Sequence, residues 1–440
     1  MDRQLILAAI DQAIARGVSS VEERNDPDSG HKFGAQVRSL TTVRAEPEVV
    51  AIVMDALLGQ PEFHWLIGRT PSPDDCAFYI PGPGGGGVGI LPIKVANWLL
   101  AKAISLPGGP DEALSSLEAF LGSSAVTGMR VAAIWGVVVE EPAEIEQDIW
   151  LAPLDYLPPS IGRDHLDEML PPHLPQSQYR PAISCIVQVF EMDPAVRPSG
   201  ERAPAWYSEH VAAFERLEEL GYATVLSPGA MPQVISRWVQ TAAVDSVPGL
   251  TGGSGGEFEM LEVVPNRRMK LKPLPAADTA RRMSAYATLP AAVKKDLSVA
   301  LRRLSMARAR RRIEDRSIEL RIALEALFGG QTNMEISHKV AARAALLTSE
   351  PARRRRSYEV LKRAYDIGSG AVHGGLVKSS GKKIAGAAMS GEQVLQEADE
   401  CLRVALNLVV ERGGLPDWTN VDLALDVRAP PDEDATAKNT

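Results

Sequence analysis

Cysteine is scarce in this chain, which has only Cys76, Cys185 and Cys401 among its 440 residues. More than a hundred residues separate each cysteine from the next, so the sequence contains no CxxC pair. This absence excludes a zinc ribbon, an iron–sulfur cluster and a scaffold rich in disulfides. We therefore expect a reduced, cytoplasmic protein.

Long hydrophobic runs are also lacking. No segment approaches the roughly 20 apolar residues that a helix needs to span a bilayer. Residues 1–17 contain a short apolar run with Asp11 close behind it, which is typical of an amphipathic helix rather than a signal peptide. The sequence therefore predicts no membrane partner.

Two common kinds of catalytic motif are missing. The seven histidines include no pair at the i, i+4 spacing of a metalloprotease helix. The glycine tetrad Gly84–Gly87 is not followed by the Lys-Ser/Thr pair of a phosphate-binding loop, so it predicts a surface loop. We expect neither a metal site nor a cofactor.

Charge is present in quantity but is unevenly distributed. From Arg281 to Arg363 the chain has 20 Lys/Arg and 8 Asp/Glu, a net of +12, which leaves −21 for the rest of a chain whose net charge is −9. Arginine clusters lie at 308–312 and 353–356. Such a basic stretch suits a polyanion such as RNA. The alternative is that these arginines form a solvated helix face or pair with acids elsewhere in the chain.

Hydropathy patterns divide the chain into two regions. Residues 1–265 are predicted to form an α+β region. Its role is unknown, and a sensory or regulatory role is the candidate. Its predicted helices are 3–17, 47–58, two within 93–122 joined by a Pro-Gly-Gly-Pro turn, and 206–219. Its strand-type runs are Met129–Val139, Asp148–Ala152, Ala182–Val189, Ala223–Leu226 and Phe258–Val264.

The second region is helical. Residues 266–290 are predicted to be a linker, with the domain boundary near residue 280. Residues 291–428 place apolar side chains at helical spacing through about five helices, which predicts a compact bundle. Residues 429–440 have little apolar content and predict a disordered tail.

Three strings in this second region resemble a known family. They are Asp315–Phe328, Glu335–Leu347 and Tyr365–Gly375, the last reading YDIGSGAVHGG. Their order, spacing and helical context resemble the ApeA-like HEPN family. The resemblance covers residues 300–411 and implies that the bundle is an all-α HEPN-like domain. The expected fold is thus an α+β N-terminal region followed by a HEPN-like helical bundle.

The resemblance also implies a site. Active members of this family dimerise and cut RNA without metal, using an arginine and a histidine four to six residues apart in a cleft between the two copies. His373 occupies the histidine position, where it would act as a general acid or base. The arginine position, five residues earlier, is Gly368, and the neighbouring motif residues are Tyr365, Asp366 and Ser369.

Two routes would give this site a cation. The first is the substitution Gly368→Arg, which we expect to place an arginine on a similar helix face to His373. Alternatively, arginines could approach across a dimer; the candidate RNA-binding residues are Arg343, Arg353, Arg354, Arg355 and Arg356. For Arg343 the plainer interpretation is an ion pair with an acid such as Glu325 or Asp366. For His373 the plainer interpretation is that its side chain caps a helix C-terminus, next to Gly374.

Two functions follow. The first is a homodimeric, RNA-associated HEPN module with a degenerate ribonuclease site, acting in defence or stress response. The second is an active, metal-independent HEPN endoribonuclease, a toxin or antiviral effector that combines His373 with an arginine from elsewhere. In the second case the N-terminal region would sense an unknown trigger and restrain cleavage.

Overall fold

A computed structural model gives the structure of the chain. It describes residues 1–18, 20–24, 40–60, 78–81, 87–122, 126–157, 160, 162–163, 166, 183–192, 206–241, 254–258, 271–329, 336–374, 382–384 and 386–423. The predicted tail at 429–440 and most of the predicted loop at 84–87 lie outside these residues.

The helices in the described part of the chain are concentrated in its second half. They are α1 (Arg3–Arg16), α2 (Pro47–Leu58), α3 (Pro92–Ser105), α4 (Gly109–Leu121), α5 (Trp206–Ala223), α6 (Ala276–Ala287), α7 (Ala291–Ala309), α8 (Ile313–Phe328), α9 (Ile336–Thr348), α10 (Arg354–Gly374), α11 (Gly391–Glu411) and α12 (Trp418–Asp422). The helices predicted at 3–17, 47–58 and 206–219 are confirmed as α1, α2 and α5, and the two predicted within 93–122 are confirmed as α3 and α4.

Within the described residues, the strands form one larger sheet and three hairpins. They are β1 (Ser20–Arg24), β2 (Leu40–Arg44), β3 (Phe78–Pro81), β4 (Gly87–Ile90), β5 (Val126–Trp135), β6 (Ala143–Glu146), β7 (Ile149–Pro153), β8 (Ile183–Met192), β9 (Gln233–Thr241), β10 (Ser254–Phe258), β11 (Lys382–Ile384) and β12 (Ala387–Met389). The larger sheet is antiparallel, in the order β10-β9-β5-β8-β7-β6, and the hairpins are β1–β2, β3–β4 and β11–β12.

Strand β5 lies at the centre of this sheet and is buried on both faces. Ala132 and Ile134 point into the main hydrophobic core, while Met129 and Val131 point into a second cluster around Trp238. Because successive side chains of a strand alternate between faces, a strand covered on both sides must be apolar nearly throughout. This explains the continuous apolar run that predicted β5.

Two predicted features of the N-terminal region differ from the structure. Residues 224–226, expected to be part of a strand, form a 3-10 turn directly after α5, where Val225 and Leu226 fill the core. Strand β9 was not predicted from the sequence. It pairs with β5, and Trp238 is among its buried residues. Apolar residues in short runs suit a strand or a buried turn equally well, so their periodicity does not separate the two.

The chain is an α+β structure with a helical C-terminal part, as expected. Helices α7 and α8 pack against each other, and α10 packs on both α8 and α9. Helix α11 begins with a capping box, in which the Ser390 hydroxyl accepts from the Gln393 amide while the Gln393 side chain accepts from the Ser390 amide. These five helices correspond to the five expected from the spacing of apolar residues.

The predicted linker at 266–290 contains a packed helix. Ala276, Ala280, Met283 and Tyr286 of α6 are buried in the main core, which also includes side chains from α1 and α11. Their spacing puts these four side chains on one face of α6, and that face covers β6, β7 and α5. Residues 276–287 therefore join the two regions through the core rather than as an exposed connection.

Candidate functional site

The motif with His373 lies on the last turns of α10, a helix of 21 residues. Its buried side includes Val360, Leu361 and Ala364. Its solvent side includes Arg355, Lys362, Asp366, Gly370 and His373, which are all exposed. An amphipathic helix of this length fixes which motif residues face water and which face the other helices.

Gly368 is buried where α10 crosses α8. A Cβ atom at this position would lie 2.6 Å from the carbonyl oxygen of Ser317 and 2.9 Å from the Cβ of Arg321. Both distances are closer than Cβ atoms approach their neighbours in folded proteins. Gly368 thus lets two helix backbones come together, and any side chain at this position would force them to shift apart.

Gly368 and His373 lie on opposite sides of α10. Five residues rotate an α-helix by about 140° beyond a full turn, and this helix is continuous across the motif. The expectation that an arginine at 368 would share a face with His373 is therefore wrong. Such an arginine would meet the backbone of α8, on the side of α10 away from the exposed imidazole.

Tyr365 ties α10 to α8. Its hydroxyl donates a hydrogen bond of 2.6 Å to Glu325 Oε1, which also accepts from Arg321 Nε at 2.8 Å. The Arg321 guanidinium lies 4.8 Å from the centre of the Tyr365 ring. Burial, together with the bond to Glu325, raises the pKa of Tyr365 to about 12. The phenol is therefore neutral at pH 7 and serves as a donor rather than as a base.

Arg343 is buried, and its guanidinium is engaged inside the protein. Its Nε and Nη2 donate to the two carboxylate oxygens of Asp422, at 2.9 and 2.8 Å, and its Nη1 donates to the Phe328 carbonyl at 2.8 Å. Its guanidinium also packs 5.0 Å from the Trp418 ring centre. The hydrogen bonds from Arg343 lower the pKa of Asp422. The expected ion pair exists, but its acid is Asp422, not Glu325 or Asp366.

The four arginines at 353–356 differ in their surroundings. Arg353 is exposed, and the Arg355 side chain is 90% exposed beside Glu359. Arg354 Nε donates to the Ser349 carbonyl at 3.3 Å. Arg356 Nη2 donates to Glu397 of α11 at 2.6 Å. Two of the four therefore face solvent, while Arg356 holds α10 to α11.

In the other arginine cluster, Arg311 and Arg312 are exposed, whereas Arg308 and Arg310 pair with acids of the fold. Arg308 binds Asp399 through two nitrogens and donates to the carbonyls of Val225 and Ala230. The carboxylate of Glu319, only 7% exposed, accepts from both Arg303 and Arg310. Much of the basic surplus in residues 281–363 thus neutralises acids within the fold, which is the alternative that the sequence left open.

His373 is exposed in the last turn of α10, so the expected position at a helix C-terminus is confirmed. Asp366 is also exposed, and Ser369 is half-buried. Counting along the helix, Arg355, Lys362 and His373 form a single solvent stripe, because steps of seven and eleven residues each return to nearly the same face. The structure places His373 on one face with these two cations, rather than with Gly368 or Arg343.

Sequence reasoning missed a buried polar pair that joins the sheet to α5. Arg130 of β5 donates from Nε to His210 Nδ1 of α5 at 2.7 Å and from Nη1 to Gln188 at 2.9 Å. Its guanidinium lies 3.8 Å from the centre of the Phe190 ring. Burial lowers the pKa of Arg130 to about 10, and burial beside that cation lowers the pKa of His210 to about 4. A lone arginine within an apolar strand was the signal available in the sequence.

Neither a metal centre nor a membrane segment is found where the structure describes the chain. The described side chains include no cluster of three or more His, Cys, Asp or Glu residues able to hold an ion. The helices described here also fall short of the length and apolarity required to cross a bilayer.

Comparisons of the chain with protein-family models, with curated proteins and with solved structures found no match. The resemblance to the ApeA-like HEPN family accordingly stays a prediction that depends on the three motifs alone.

Proposed function

We propose that the C-terminal helices form a HEPN-type module that associates with RNA as a homodimer and whose ribonuclease site is degenerate. The observation that carries the proposal is the packing of Gly368. Gly368 stands where the family motif has an arginine, and the backbone of α8 occupies the space that a side chain would need. A Cβ at this position would lie 2.6 Å from the Ser317 carbonyl oxygen. The motif therefore has no room for its cation within one chain.

The solvent stripe of α10 supports the RNA-associated part of the proposal. Arg355, Lys362 and His373 are exposed along it, and Arg353 is exposed directly before the helix. Cations in a row on one helix face can contact successive phosphates of a nucleic-acid strand. Glu359 and Asp366 lie on the same face and reduce its net charge, which favours weak, salt-sensitive association over tight binding.

Incubation of the full chain with total RNA in EDTA tests whether the site is degenerate. We expect no cleavage by the wild-type protein, because the motif has a glycine at 368 instead of the cation that would stabilise charge on the phosphate. Metal-independent cleavage that disappears in His373→Ala would contradict the proposal and favour the active endoribonuclease.

RNA binding is tested with a pair of double variants of equal charge. Arg353→Ala/Arg355→Ala removes the two exposed arginines and leaves the Arg356–Glu397 pair intact. We expect this variant to bind RNA more weakly. We also expect the slope of log binding constant against log salt concentration to become shallower by about one for each phosphate that an arginine no longer neutralises. The control Arg16→Ala/Arg281→Ala removes exposed arginines of α1 and α6. Equally weakened binding in both double variants would contradict a specific role for α10.

Light scattering tests the dimer, and the full chain is the right sample. The helices of residues 281–428 share a core with the N-terminal region, so the isolated segment would expose apolar surface. We expect a mass of two chains at micromolar concentration. If the chain is a monomer and still binds RNA through Arg353 and Arg355, the proposed dimer is wrong, whereas the proposed association with RNA is retained.

A further inference from the structure

The first turns of α5 are attached to the sheet by a buried polar side chain. Of the described side chains at 209–213, His210 alone is buried, with 2% exposure, and the other four are exposed or half-buried. The rest of the helix is attached by apolar side chains instead, with buried Phe214, Leu217 and Leu220 at helical spacing. The two halves of α5 are therefore held to the protein by different chemistry.

The partner of His210 is a cation that is itself held in place. Arg130 of β5 donates from Nε to His210 Nδ1 at 2.7 Å. Gln188 accepts from the Arg130 Nη1 at 2.9 Å, and the centre of the Phe190 ring lies 3.8 Å from the guanidinium. The imidazole nitrogen can accept its bond only while it carries no proton. A protonated His210 would place two cations at hydrogen-bonding distance in a buried site, which is strongly unfavourable.

The charges around this contact favour the neutral imidazole. Burial lowers the pKa of His210 to about 4, and the Arg130 charge contributes to this shift. Glu209, the preceding residue of α5, is exposed, and its charge partly offsets the burial that lowers the pKa of Arg130. Charges from the other elements packed on α5 lie two turns further along, in the ion pairs that join Glu218 to Arg237 and Arg302. A proton on His210 therefore disfavours the docking of the start of α5 and not of its second half.

We propose that protonation of His210 releases the first turns of α5 from the sheet while the rest of the fold stays closed. Separating His210 from Arg130 breaks the contacts of one buried side chain at 209–213, whereas unfolding the chain breaks the shared core. The local route therefore costs less free energy. Once released, two helical turns have no tertiary support, and so short a segment unwinds in water.

The direction of the pH response follows from the two states. In the closed state the pKa of His210 is about 4, whereas a released His210 returns to the ordinary 6.5. The closed state is thus fully favoured above pH 6.5, and its advantage is lost as the pH falls toward 4. Between pH 7 and pH 5 these pKa values raise the population of the released state about twentyfold.

Native-state hydrogen exchange of the full chain, read by mass spectrometry, tests the proposal. We expect the protection of the amides at 210–213 to fall about twentyfold from pH 7 to pH 5, after correction for the intrinsic exchange rates. Their exchange should be nearly independent of urea at low concentrations, because a local opening exposes little surface. The amides at 360–365 of α10, which open only when the core does, should exchange more slowly and accelerate steeply with urea.

Two variants assign the response to His210. His210→Gln has an amide oxygen that can accept from Arg130 but does not titrate, so its amides at 210–213 should be equally protected at the two pH values. His373→Gln removes an exposed histidine of α10 and should keep the wild-type response. The proposal is overturned if wild-type protection at 210–213 is the same at pH 7 and pH 5, if these amides share the urea dependence of α10, or if the pH response persists in His210→Gln.

Discussion

At the scale of single residues, the most consequential contact is the one between Arg130 and His210. The imidazole accepts a hydrogen bond from the guanidinium, so it must be neutral for the pair to form. Its pKa falls from the ordinary 6.5 to about 4 in the folded chain. Between these two values the unfolded chain binds a proton that the folded chain does not. The stability that this neutral histidine contributes is therefore complete above pH 6.5 and is lost as the pH falls to 4.

We expect the free energy of unfolding to drop by about 3 kcal/mol over this pH range from this residue. Urea unfolding at several pH values checks the prediction, with His210→Gln as the test variant and His373→Gln as the control. His210→Gln should flatten the pH dependence, and His373→Gln, which removes an exposed histidine, should keep it. A wild-type stability that stays constant from pH 7 to pH 4.5 would contradict the assigned role.

At the scale of helices, the crossing of α8 and α10 depends on Gly368. Gly368→Ala should lower the free energy of unfolding by about 1–3 kcal/mol, because its new methyl group meets the Ser317 carbonyl. The matched control is Gly370→Ala, two residues along the same helix. A Cβ at Gly370 has no neighbour within 4 Å, so this change should stabilise the helix by up to about 1 kcal/mol.

Denaturation midpoints of these two variants measure the difference directly. Shifts of opposite sign in the two midpoints would confirm that the helix crossing, and not helix propensity, determines which residue stands at 368. If Gly368→Ala proved as stable as Gly370→Ala, the helices could separate at little cost, and the position could also accept the arginine of the family motif.

At the scale of the whole molecule, the N-terminal region and the C-terminal helices share one core. Arg308 of α7 reaches across this junction, where it binds Asp399 of α11 and the carbonyls of Val225 and Ala230 after α5. Its side chain is only 8% exposed, so its removal leaves a carboxylate and two carbonyls without their donor.

We expect Arg308→Ala to lower the free energy of unfolding by about 3 kcal/mol, whereas Arg312→Ala, at a side chain that is 73% exposed, should change it by less than about 0.5 kcal/mol. Circular dichroism and tryptophan fluorescence should report one coincident transition in the wild type, since a shared core unfolds cooperatively. Two separate wild-type transitions would mean that the regions are independent domains, as the predicted linker implied.

The sequence by itself determined many, though not all, of the local elements of this protein. Helix α2 runs from Pro47 to Leu58 as predicted, and α10 places His373 in its last turn, because hydrophobic periodicity and capping signals depend on residues close together in the chain. The motif string, its histidine and the glycine at 368 were all visible at this level.

Only the tertiary structure decided what these residues contact. Arg343 and Asp422 are 79 residues apart, and Arg308 and Asp399 are 91 apart, so no local pattern could pair them. The sequence likewise showed that Gly368 lacks a charge but not that the Ser317 backbone occupies the adjacent space. Ion pairing and close packing are set by which elements meet in space, and the folded core alone fixes those neighbours.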